Sequence, residues 1–107
     1  MKLMTKEISK IAQAQYLLGS DLETQNVVAK FFDPTSQWTW YLMNIDPEDP
    51  DYCWGIVRGF DVEIGSFSLS ELQATRLRAG LGIERDLHFT PRNALEVYNL
   101  VISGKHI

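Results

Sequence analysis

Apolar residues recur along this chain with two periods, and the switches between them divide it into elements. From Thr5 to Gly19 the spacing is helical. Thr5 can cap, Glu7 sits in the first turn where the helix dipole favours an acid, and Ile8, Ile11, Ala12 and Leu18 fall near one side. Gly19 is the natural stop, and Ser20 to Gln25 is a polar connector. The period then shortens to two. Residues 26–32 and 37–43 are β-prone and flank Asp33-Pro34-Thr35-Ser36, which is turn chemistry. A four-residue loop there would pair Phe31 with Trp38, Ala29 with Trp40 and Val27 with Leu42 on a wholly apolar face. Phe32, Lys30, Val28 and Tyr41 would share a second, amphipathic and half-available face.

Residues 46–51 hold four acids and two prolines and read as an exposed loop, because proline removes the donors that a ladder needs. Tyr52 to Arg58 resumes a strand. Gly59-Phe60 offers a two-residue turn, and Asp61 to Phe67 runs back, pairing Val57 with Val62 and Gly55 with Ile64, with Gly65 a possible bulge. Ser68-Leu69-Ser70-Glu71 is a capping box, with Phe67 and Leu72 as its hydrophobic staple, opening a helix to about Arg78 that Gly80 or Gly82 ends. Ile83 to Phe89 alternates as a fifth strand. Thr90-Pro91 then opens a last helix with Leu95, Tyr98, Val101 and Ile102 on one side. The order predicts one α+β domain over residues 1–107, with a mainly antiparallel sheet of about five strands and N-terminal, middle and C-terminal helices.

Composition supports a folded chain: 45% of residues are hydrophobic and 22% charged, and 107 residues suffice for one core but not two. Charge changes the picture more. The net value of −4 conceals a middle segment, residues 33–71, with eight acids against Arg58 alone, flanked by segments of slight positive charge. Such a balance argues against an obligate duplex binder, which usually shows a basic footprint. No apolar run reaches the roughly 20 residues of a membrane helix, so no membrane association is expected. A lone cysteine, Cys53, can form no internal disulfide, and a reducing cytoplasm is the expected compartment.

Three constellations could carry chemistry. The first is acidic: Asp46, Glu48, Asp49 and Asp51 could dock a basic partner or imitate a phosphate strand, against the plainer account of a solvated, proline-stiffened loop. The second is a sheet face with Phe32, Tyr41 and Trp54 to stack bases and Lys30, Arg58 and Arg85 to hold phosphates, against ordinary core packing. The third is Glu84, Asp86 and His88, which a strand would align on one face as divalent-metal ligands, although Arg85 and Arg92 can neutralise the same carboxylates. Serine catalysis by Ser68 or Ser70 with His88 or His106 lacks a nucleophile-elbow pattern. Cys53 has no basic activator nearby in sequence.

The runs Lys30-Phe-Phe-Asp-Pro, Trp38-Thr-Trp-Tyr, Gly55-Ile-Val-Arg-Gly, Glu63-Ile-Gly-Ser-Phe-Ser-Leu-Ser-Glu-Leu and Gly82-Ile-Glu-Arg-Asp-Leu-His-Phe carry a resemblance. In order and spacing they resemble a bacterial family catalogued as domain of unknown function 2958, over nearly the whole chain. The resemblance implies a small single-domain protein encoded on mobile genetic elements beside DNA-processing or defence-evasion genes. It implies no catalytic residue.

The leading expectation is therefore a non-enzymatic interaction protein without a cofactor, binding a protein partner in DNA processing or host-defence evasion through Asp46, Glu48, Asp49 and Asp51. The second is a single-stranded nucleic-acid module on the aromatic and basic face. A metal-dependent enzyme at Glu84, Asp86 and His88 comes third.

Overall fold

The computed structural model, which describes residues 2–107, is built on an up-and-down run of strands. In chain order the elements are α1 (Lys6–Ala14), β1 (Asn26–Val27), β2 (Ala29–Phe32), β3 (Thr39–Asp46), β4 (Asp49–Arg58), β5 (Val62–Ser68), α2 (Leu69–Ala74), β6 (Glu84–Arg85), β7 (Arg92–Asn93) and α3 (Ala94–Ile102). Five strands form an antiparallel sheet in the order β5-β4-β3-β2-β6, and β1 pairs with β7 apart from it. The α+β class and the five-stranded sheet agree with the sequence.

Both faces of the sheet are covered. One face presents Ala29, Phe31, Leu42, Ile45 and Cys53 to Ile8 and Ala12 of α1 and Leu72 of α2. The other presents Tyr41, Met43 and Ile56 to Ala94, Val97 and Val101 of α3. A bulge after Leu42 lets β3 stay buried on both sides, since Met43 is extra to the pairing that resumes at Asn44 and Trp54. The second face is thus not half available. The last helix needs an apolar partner, and that face supplies it.

The first hairpin holds its faces but not its register. Asp33 accepts from the Thr35 N–H (2.7 Å) and hydroxyl (2.6 Å), and Ser36 Oγ accepts from the Trp38 N–H, so the loop runs six residues. Phe31 then pairs with Trp40 and Ala29 with Leu42. A two-residue slip preserves sidedness. Phe31 is fully buried, Trp40 packs half-buried against the core, and Trp38 stacks on Trp40 at the rim, ring centroids 5.9 Å apart.

The second hairpin departs further. Its turn is three residues, Gly59-Phe60-Asp61, so Arg58 faces Val62 and Ile56 faces Ile64. A one-residue change reverses β5, turning Val62 and Ile64 toward α3 and Glu63 to the opposite face.

Three other boundaries move for local reasons. α2 ends at Ala74, where the Thr75 hydroxyl bonds back to the Glu71 carbonyl and the Thr75 backbone turns extended. The fifth strand is only Glu84–Arg85, because Asp86 accepts from the His88 N–H and turns the chain away. α3 starts beyond Pro91, since Asn93 caps the Glu96 N–H and also donates to the Glu23 carbonyl.

Candidate partner-binding site

The acidic segment is not a loop. β3 and β4 continue through it, and only Pro47-Glu48 turns the chain between Asp46 and Asp49. Asp46 Oδ1 accepts from the Glu48 N–H (2.9 Å), an Asx turn with proline preset at the next position. The pairing slips between Asp46 and Asp49 on one side and Ile45 and Cys53 on the other, so Pro50 lies in a bulge where no ladder donor is required. The acids are therefore displayed on a stiff hairpin tip.

Asp51 stands apart from the other three. Its carboxylate accepts from the Ser68 hydroxyl (2.7 Å), the Ser70 N–H (2.6 Å) and the Ser70 hydroxyl (3.1 Å), while Ser68 Oγ caps the Glu71 N–H (3.2 Å). The bond from Ser68, then that from the Ser70 N–H, hold the Asp51 carboxyl below its ordinary range. Asp51 anchors the start of α2, and a partner would find it already engaged. A depressed folded pKa contributes stability that is present above the unfolded value and lost as pH falls through the folded one. Asp51→Asn is accordingly expected to lower the melting temperature at neutral pH, with the gap to wild type closing in strong acid. A gap independent of pH in thermal melts would disprove the charged contact.

Two tyrosines from distant parts of the chain flank the tip. Tyr16 follows α1 in a 3-10 turn, and its hydroxyl donates to Asp46 Oδ2 at 3.4 Å. The negative charge of Asp46, with smaller effects from Tyr52 and Glu48, raises the Tyr16 phenol pKa. Tyr52 is 44% exposed, and Leu17 beside Tyr16 is 94% exposed. A cleft of about 280 Å³ lies between the tip and α2, lined by Asp49, Asp51, Tyr52, Ser68 and Glu71. Sequence reasoning missed both tyrosines. Tyr52 adjoins the acids, but nothing local links Tyr16 to a residue thirty positions on.

The other two constellations do not assemble as expected. On the proposed stacking face Tyr41 is 1% exposed, lies against Phe89 and donates to the Ile107 carbonyl, so its ring cannot receive a base. Trp54 packs half-buried and donates to Ser20 Oγ. Lys30 pairs with Asp86 (3.7 Å) and stands over the Phe32 ring, while Arg58 is bonded to the Lys105 carbonyl. Arg85 lies on the opposite face, with its guanidinium on the Lys2 and Leu3 carbonyls. Glu84, Asp86 and His88 are separated because the strand ends at Arg85, and among the described residues no three His, Cys, Asp or Glu side chains could hold a metal ion. Cys53 is fully buried, and burial pushes its thiol up to about 12. No helix among the described residues is long and apolar enough to cross a membrane.

Fold and site together define an α+β domain with an antiparallel sheet between helices and an acidic, tyrosine-flanked hairpin tip. Over residues 3–104 the chain matches a family described as "Protein of unknown function (DUF2958)", and it belongs to that family. No curated protein and no solved structure matches it.

Proposed function

We propose that this protein is a non-enzymatic docking domain of a mobile genetic element, working in the cytoplasm, and that its hairpin tip binds a basic protein partner in DNA processing or host-defence evasion. The observation that carries the reading is the grouping of Asp46, Glu48 and Asp49 at the hairpin tip with exposed Tyr52 on β4 and Tyr16, which reaches Asp46 from the turn after α1. Tyrosine gives a large contact area for little entropy and recurs at binding hot spots, while same-sign charges around it speed the encounter with an opposite charge. The family resemblance supports the mobile-element setting, and the lone buried cysteine suits a reducing compartment.

The test uses a fluorescent Lys/Arg-rich peptide as the basic probe. Asp46→Asn/Glu48→Gln/Asp49→Asn removes three charges and leaves an oxygen at position 46 to accept from the Glu48 N–H, while the new amide nitrogen faces the Tyr16 hydroxyl, which must then accept rather than donate. The variant is expected to weaken binding and flatten its salt dependence, because exposed charges are screened over about 8–10 Å. Tyr52→Ala is expected to weaken binding while the salt slope stays. Equal affinities and slopes for wild type and the charge variant would overturn the proposal.

A further inference from the structure

The acidic protein has a basic side that its net charge hides. A cleft of about 450 Å³ runs along α1 and its lead-in, lined by Lys2, Lys6, Lys10, Thr5, Ser9 and Gln13, with no acidic residue on its wall among the described residues. Lys6 and Lys10 stand one turn apart, as do Ser9 and Gln13, so the helical repeat brings them to one side. Lys2 is brought alongside by a fixed lead-in. Leu3 is fully buried, its N–H donates to Gln73 Oε1 at 3.1 Å, and the Lys2 and Leu3 carbonyls accept from Arg85 at 3.0 and 2.8 Å.

The hydrogen-bonding state of the cleft selects an anion. Thr5 Oγ1 already accepts from the Ile8 N–H and Ser9 Oγ from Gln13 Nε2, so each hydroxyl keeps its proton to donate outward. None of the three lysines is in an ion pair among the described residues. The positive end of the α1 dipole adds to them. Among the described residues no aromatic ring lines the cleft, so they offer nothing on which a base could stack. It can hold a row of negative groups and read no sequence.

We infer that the Lys2–Lys6–Lys10 cleft is a track for a phosphodiester backbone, contacting about three successive phosphates without base recognition. Lys6 opens α1 and Tyr16 follows its far end at Ala14, about 12 Å of helical rise away, so the acidic tip repels a strand at the Lys6 end only weakly at physiological salt. This inference does not rest on the docking role of the tip.

Fluorescence anisotropy of a labelled oligothymidylate tests it. For three phosphate contacts on a single strand, affinity should fall about twenty-fold between about 50 and 200 mM salt, a slope of about −0.7 per contact. Each of Lys2→Gln, Lys6→Gln and Lys10→Gln should flatten the slope by about 0.7, and the corresponding arginine variants should restore it. A duplex bound with about −0.9 per contact would identify a two-stranded source of the same backbone. The Asp46→Asn/Glu48→Gln/Asp49→Asn variant should bind the oligonucleotide at least as well as wild type, which separates this site from the tip. The inference falls if wild type does not bind at low salt, or if the glutamine variants keep the full slope. It falls equally if polyglutamate competes as well as the oligonucleotide, since the cleft would then be reading an acidic peptide.

Discussion

Replacing Gly55 by alanine is expected to cost more than about 3 kcal/mol and to lower the melting temperature by at least about 12 °C. Gly55 lies in the second central strand, opposite Leu42, where the β3 bulge brings the neighbouring backbone unusually close. A Cβ there would overlap the Tyr41 carbonyl oxygen and stand 2.9 Å from its carbon and 3.2 Å from the Met43 nitrogen. These are backbone atoms of a buried ladder and cannot swing aside. The control is its partner on the next strand. Gly65 pairs directly with Gly55, yet a Cβ on it would meet nothing within 4 Å. Gly65→Ala should be neutral or slightly stabilising, because it restricts the unfolded chain without strain. Thermal and urea melts of the two variants decide the matter, and equal losses would refute the close-approach explanation.

Those two glycines also show what the sequence could and could not reveal. Periodicity predicts the elements, since local spacing reports which side chains share a face. The faces of the first hairpin follow, because its loop error was two residues and sidedness repeats every two. In the second hairpin the difference between a two- and a three-residue turn at Gly59 is invisible to propensity, and it reverses a strand. The acids at 46–51 were legible as a charged segment. Their display on a hairpin was not, because Pro50 reads as a strand breaker until the bulge that tolerates it is known. Asp51 is separated from its neighbours only by two serines nineteen residues or fewer downstream. The lysine cleft lies between these cases. The spacing of Lys6 and Lys10 is plain in sequence, but the placement of Lys2 depends on Arg85, more than eighty residues away.

Asn44→Ala is expected to cost about 3 kcal/mol and to loosen the tip as well as the fold. Asn44 is 1% exposed, and its Nδ2 donates to the Gly19 carbonyl (3.0 Å) and to Gln25 Oε1 (3.0 Å). Gln25, equally hidden, donates to Gly19 (2.9 Å) and Asp21. The two amides bind the chain after the Tyr16 turn to β3 at its bulge, two residues before Asp46. Removing the Asn44 amide leaves Gln25 Oε1 buried without its donor, and that uncompensated acceptor costs more than the lost bond returns. The two residues should therefore couple: Asn44→Ala/Gln25→Ala should lose less stability than the two single losses combined. A double-mutant cycle from urea melts measures this directly. Because Gly19 follows the turn that carries Tyr16, Asn44→Ala should also weaken basic-peptide binding at temperatures where the variant is still folded. Additive stability losses, or full peptide affinity in the folded variant, would show that the amide pair holds neither the core nor the tip.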